Sequence, residues 1–255
     1  MKHLIISELE RLWKMSMMKI LLLLLVGISF FSAYFLTWFD LGLYTADSET
    51  PLNAVNFPWF LLREVSFFVT LVIMPLFCVV VLNSPIKAKT YNLVLYRPFH
   101  RLEFLLSKWG TLLLIAVFIT VFIWLIGVML GFVFYQVPEY VTFYGDLTRY
   151  SILNGYIYSA KLYFLFWAVI AAGIAIASVM SIMAPNPIIA YFLLMIAYVV
   201  PIYFSNELTF FLMPTQSIFI SLSETNMPLL HMALPLIVLF GGGISSLLWV
   251  KQDFK

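Results

Sequence analysis

Between Ile20 and Phe39 the chain reads ILLLLLVGISFFSAYFLTWF, a stretch without one charged side chain. A helix needs about 20 mostly apolar residues to cross the hydrocarbon layer of a bilayer. Five further runs approach that length: Val65 to Leu82, Trp109 to Tyr135, Ala160 to Met183, Ile188 to Phe204 and Met232 to Val250. What lies between them cannot supply a water-soluble shell. Of all residues, 64% are hydrophobic and 10% charged, where soluble domains hold roughly 45–50% and 25%. The expected fold class is therefore an all-α polytopic membrane protein, one domain over residues 1–255 with six transmembrane helices. Pro75, Pro201, Pro235 and Gly241 to Gly243 fall in or beside these runs. Neighbouring helices in a bundle can satisfy the backbone groups that such residues free.

The first run is too long for a signal-peptide core of roughly 7–15 residues, and an amphipathic segment with acids precedes it, so it reads as an anchor that stays. Cys78, alone in an apolar run, suggests no disulfide framework and no zinc site and reads as a small buried hydrophobe.

Charge sets the expected orientation. With the N-terminus inside, Lys2, Arg11, Lys14, Lys19, Lys87, Lys89, Arg97, Arg101, Lys108, Lys251 and Lys255 face the cytoplasm. Arg63, Arg149 and Lys161 face out, so the 14 basic residues divide 11 to 3. The positive-inside rule favours this arrangement, with both termini in the cytoplasm of a cell whose plasma membrane holds the chain. Trp38, Trp59, Trp109 and Trp249 stand near span ends, where interfacial anchors are expected.

The leader, residues 1–19, reads MKHLIISELERLWKMSMMK. Ile5, Leu9, Leu12, Trp13 and Met17 recur at helical spacing on one face. Such a helix lies in the headgroup plane, either as a mere anchor or as a moving part. The one long inner connection runs from Asn83 to Lys108 and gathers charge in VLYRPFHRLEFLLSKWG. Pro98 disfavours helix at Arg97, which gives a helix, a break and a second helix feeding the third span. The loop either docks a partner or folds back on lipid headgroups.

No G-x-x-x-x-G-K-[ST] phosphate loop, H-E-x-x-H or G-x-S-x-G elbow is present. His3, His100 and His231 sit in separate segments without metal-ligand spacing. The middles of the six runs hold no Asp, Glu, Lys, Arg or His, where ion-coupled carriers usually place ionisable groups. The chain is expected to be neither an enzyme nor a self-powered carrier, to bind no cofactor, and to have no nucleic-acid partner.

This plan resembles the permease subunits of ABC-2 type transporters, six-span bacterial exporter proteins. The resemblance rests on the amphipathic leader, the loop YNLVLYRPFHRLEFLLSK from Tyr91 to Lys108, the short APNP turn at Ala184 to Pro187, the half-apolar segment Ser205 to Pro228, and the tail WVKQDFK. The segment IKAKTYN keeps only the threonine of the acid and Gly-Thr pair that family members often place there. The resemblance implies a coupling helix between spans two and three. Tyr91, Leu95, Arg97, Pro98, Phe99, His100, Arg101 and Glu103 would meet a cytoplasmic ABC ATPase dimer, which binds the ATP and magnesium. A second permease copy or a sister subunit would complete the path. Leu212, Met213 and Pro214 would break the segment before span six into two half-helices at an outer gate. The 25 phenylalanines and 12 methionines lean toward an amphipathic peptide, such as an antimicrobial peptide, a drug or a lipid-like cargo. The alternative from another class is a membrane immunity or sensor protein that binds a peptide or lipid without moving it.

Overall fold

The computed structural model describes residues 2–45, 48–87, 101–223 and 228–251, the side chains of residues 85–87, 147, 206, 207, 228 and 229 excepted. Helices dominate. The leader forms α1 (Lys2–Lys14). After Met15, which is extended, α2 (Ser16–Phe39) begins. Asp40 closes α2 in the left-handed conformation, its N–H on the Leu36 carbonyl at 2.9 Å, a common end for a helix whose last carbonyls need donors.

The second apolar run is longer than expected. Helix α3 (Phe57–Phe68) passes through a π-helical turn (Val69–Ile73) into α4 (Met74–Lys87). Arg63 and Glu64 lie inside α3, where they neutralise one another at 2.9 Å. The irregular turn has a cause in Pro75. Proline has no N–H to offer the carbonyl four residues back, which is that of Leu71. The Tyr191 hydroxyl donates to that oxygen at 2.9 Å from another helix, so the kink leaves no acceptor unsatisfied.

Helix α5 (Arg101–Phe134) is continuous from the end of the inner loop through the third run. Helix α6 (Ile152–Met183) follows, and α7 (Pro187–Val199) runs on into a 3-10 turn to Tyr203. The turn between α6 and α7 is the tight one the sequence implies: the Asn186 side chain caps α7 by accepting from the Ile189 N–H at 2.8 Å, and Pro187 occupies the first turn. A 3-10 segment (Asn206–Phe211), α8 (Pro214–Ser223) and α9 (Pro228–Lys251) complete the chain.

Among the described residues five helices are long and apolar enough to cross a membrane: Ser16–Phe39, Phe57–Ser84, Arg101–Phe134, Ile152–Met183 and Leu230–Lys251. The fifth expected run is a shorter apolar helix, Pro187–Tyr203. The all-α expectation is corrected at one end of the bundle. There β1 (Leu41–Thr45) pairs with β2 (Ser48–Pro51), and β3 (Val141–Phe143) with β4 (Asp146–Tyr150), both antiparallel. These short connections carry Gly145 at φ +75° and β-branched and aromatic residues, which close hairpins more readily than helical turns.

The packing is tightest around α3, whose residues from Phe57 to Leu62 are buried without a break, and around α6. Small residues of α6 admit two neighbours. A Cβ on Gly173 would meet the Tyr198 hydroxyl of α7 at 2.6 Å, and a Cβ on Gly241 of α9 would meet that of Ala175 at 2.9 Å. The small side chains in the fourth run thus serve contacts within the chain. Cys78 is buried in α4, as expected.

Candidate functional site

The end of the bundle that carries α1 holds the most unusual chemistry. Lys108 sits on α5 and is fully buried. Its Nζ donates to Glu8 Oε1 of α1 at 2.7 Å and to the Val81 carbonyl of α4 at 2.9 Å, and lies 4.9 Å from the centre of the Phe104 ring. The other carboxylate oxygen of Glu8 accepts from Arg11 Nε at 2.8 Å. One ammonium therefore ties together the leader and the ends of two long helices. Leu12 of α1 is buried, 1% exposed, and Ile5 lies against Gly110, where a Cβ would sit 3.0 Å from Ile5 Cδ1.

The structure departs from the sequence reading at two residues. Lys108 is a buried residue of α5 and not a loop cation, and Glu8, which the apolar stripe of the leader left out, is buried with it. The sequence held a signal for it. Glu8 stands three residues after Ile5 and four before Leu12, so it belongs to their stripe. A carboxylate in an apolar stripe needs a cation. The apolar stripe divides: Leu12 is buried in the bundle, whereas Trp13 is 61% exposed.

Of the expected coupling residues, Tyr91, Leu95, Arg97, Pro98, Phe99 and His100 lie outside the described residues. Arg101 and Glu103 open α5. Arg101 Nη1 donates to the Val250 carbonyl at 3.0 Å, and the Trp249 indole returns a bond to the Arg101 carbonyl at 3.0 Å. The Phe104 and Trp249 rings stack at 6.4 Å. The guanidinium reserved for a partner's acid is thus engaged with the last turn of α9, where a cation also suits the helix dipole. Glu103, half-buried in the first turn of α5, is likewise favourably placed. A third contact at this end is made by Asn83, whose amide donates to the carbonyls of Ser181 and Ala184 at 2.7 and 3.2 Å and so caps the end of α6. The tryptophans expected as interfacial anchors divide. Trp38 is 72% exposed, whereas Trp59 and Trp249 are buried, Trp59 donating to Ser159 Oγ at 2.7 Å.

At the hairpin end, the expected break at Met213-Pro214 is present. The 3-10 segment ends at Phe211, the N–H groups of Leu212 and Met213 both reach the Thr209 carbonyl, at 2.9 and 2.8 Å, and Pro214 starts α8. Leu212 is half-buried, Met213 is 58% exposed and Pro214 is buried. The short helix α8 is packed into the bundle: Phe219 lies at ring distances of 5.0 Å from Tyr44 and 6.1 Å from Phe60, and Thr215 Oγ1 is 3.4 Å from Ser66 Oγ of α3. Tyr44 of β1 also touches Phe60 at 5.0 Å and Tyr144 of the second hairpin at 5.4 Å. An aromatic plug therefore joins both hairpins, α3 and α8. On β4, the Tyr150 hydroxyl and the Thr148 amide both donate to Asp146 and hold its carboxyl below the usual range.

Two open apolar grooves run between helices. One, of about 500 Å³, lies between α5 and α6 beside Val121, Trp124 and Phe164. The other, of about 540 Å³, lies among α5, α6 and α9 beside Trp109, Trp167, His231 and Pro235. A more polar hollow of about 450 Å³ opens between the hairpins beside Tyr44, Asn53, Asn56 and Glu139. Among the described residues no group of three or more His, Cys, Asp or Glu side chains is placed to hold a metal ion.

Comparison with family models, with curated proteins and with solved structures found no match to this chain.

Proposed function

We propose that this chain is the membrane-spanning permease subunit of an ATP-driven ABC exporter. It crosses the plasma membrane six times, the short helix Pro187–Tyr203 being the fifth crossing, and keeps both termini in the cytoplasm. Energy comes from a separate ATPase dimer that holds ATP and magnesium. The cargo is an amphipathic peptide, a drug or a lipid-like molecule, and a second permease copy or sister subunit completes the path. The observation that carries this reading is the continuity of α5 from Arg101 into a long apolar helix, with its first turns fastened to α1 through Glu8–Lys108 and to α9 through Arg101–Val250. A push delivered at the first turn of α5 reaches three helices through these contacts. The packed, proline-started α8 at the opposite end supports a gate there.

The test is co-purification. Expressed with a candidate ABC ATPase from the same genome, the tagged chain should retain that protein through mild detergent, and the complex should hydrolyse ATP. The chain alone should not, since it has no phosphate-binding loop. A chain that retains no ATPase yet binds a peptide or lipid would instead favour the immunity or sensor reading.

A further inference from the structure

We propose that the side of α1 turned away from the bundle is a binding surface for anionic lipid headgroups. The helix carries three faces rather than the two of a simple amphipathic leader. Ile5 and Glu8 are spent on α5, and Leu12 is buried in the bundle. Ile6 and Trp13, seven residues and two turns apart and so on one side, stand 42% and 61% exposed. Around them Lys2 and Lys14 are exposed, and Lys19 is exposed in the first turn of α2. The charge balance of this surface is set by the buried pair. Glu8 is taken up by Lys108 and Arg11, which leaves Glu10 as the exposed acid of α1 against three exposed lysines.

Position and charge select the occupant. A single extended residue, Met15, separates α1 from α2, one of the helices long enough to cross a membrane, so the outward side of α1 lies where the headgroups are. An exposed indole suits that layer, and lysines around an apolar strip add attraction to negative lipid. Exposed Arg101 and Lys251 at the same end of the bundle extend the positive field. A neutral bilayer would seat Ile6 and Trp13 equally well but give the lysines nothing to meet. The inference does not depend on whether the chain transports anything.

The experiment uses the full chain, reconstituted into vesicles of phosphatidylcholine alone or mixed with phosphatidylglycerol, with hydrogen exchange of the α1 amides as the readout. Each lysine near an anionic surface contributes roughly a five-fold factor, so α1 should open at least roughly ten-fold less often in the mixed vesicles. The K2Q/K14Q/K19Q variant should lose that difference while matching the wild type in phosphatidylcholine. Exchange of α6 amides, equal in all four samples, would show that the bundle is intact. Equal α1 exchange in the two lipids for the wild type overturns the proposal. So does a lipid difference that survives in the variant, or protection that appears only on adding a cytoplasmic protein, whatever the lipid.

Discussion

Lys108 is the residue on which the α1 end turns. Removing an ammonium and a carboxylate from water costs several kcal/mol each, so a buried pair is weak evidence for stability in itself, while deleting one partner typically costs about 3–5 kcal/mol. With Glu8 8% exposed and held by Lys108 and Arg11, the substitution Lys108→Met should leave one oxygen of a nearly buried carboxylate without its cation, with Arg11 alone on the other. The cheapest escape is for α1 to leave, since what then holds it is apolar contact, with Leu12 buried and Ile5 and Leu9 partly so. We expect α1 amides in Lys108→Met to exchange at least roughly a hundred-fold faster, the equivalent of about 3 kcal/mol, with the α6 amides little changed. The double variant Glu8→Leu/Lys108→Met replaces the pair by apolar groups and should redock α1. If the single variant leaves α1 as protected as in the wild type, the pair does not hold the leader. The Val81 carbonyl, which loses its donor in both variants, sets the residual deficit of the double one at about 1–3 kcal/mol.

At the scale of elements, the half-helices before α9 make a separable prediction. Leu212 is half-buried at the bend between the 3-10 segment and α8. The structural contacts of that hairpin run instead through Phe219, Thr215 and Pro214. Leu212→Arg should therefore lower export severalfold while the complex still purifies at wild-type yield; loss of the complex would make the bend a structural element and not a gate. Why this bend could be read from sequence and other features could not is a matter of range. Pro214, the APNP stretch and the long apolar runs act within a turn or over one helix, so the bend, the tight turn before α7 and the existence of the long helices were legible. The full lengths of α3 and α6 were not, because both helices begin before their apolar runs, α3 carrying the paired Arg63 and Glu64 and α6 the polar Asn154 and Ser159. The hairpins were hidden by their shortness. The Tyr191 bond to Leu71 and the Glu8–Lys108 pair join residues 120 and 100 positions apart, a partnership that periodicity cannot supply. The residue types of the candidate site were thus visible, and the pairing that joins them across the bundle was not.

For the molecule as a whole, the question is whether movement at the loop reaches the bundle through α1. On the proposed coupling the route begins at Phe99 and Arg101. Phe99, outside the described residues, is the aromatic anchor expected to fill a groove on the ATPase, and truncating such an anchor costs about 2 kcal/mol or more. Arg101 is exposed and bonded within its own chain to Val250, so its loss removes about 0–1 kcal/mol, chiefly from the hold on α9. Phe99→Ala should accordingly lower ATPase retention roughly thirty-fold, and Arg101→Ala should barely change it. Lys108→Met differs from both. It leaves the loop untouched and releases the leader, so the ATPase should stay bound while cargo no longer stimulates hydrolysis. The Glu8→Leu/Lys108→Met variant, with α1 redocked, should recover stimulation. Measured at matched membrane levels, these four variants separate binding from transmission. Stimulation that survives in Lys108→Met with α1 shown to be undocked would remove the leader from the route and leave α5 alone to carry the motion. A double variant that is docked yet unstimulated would mean that the charges themselves, and not merely the seating of α1, take part in the stroke.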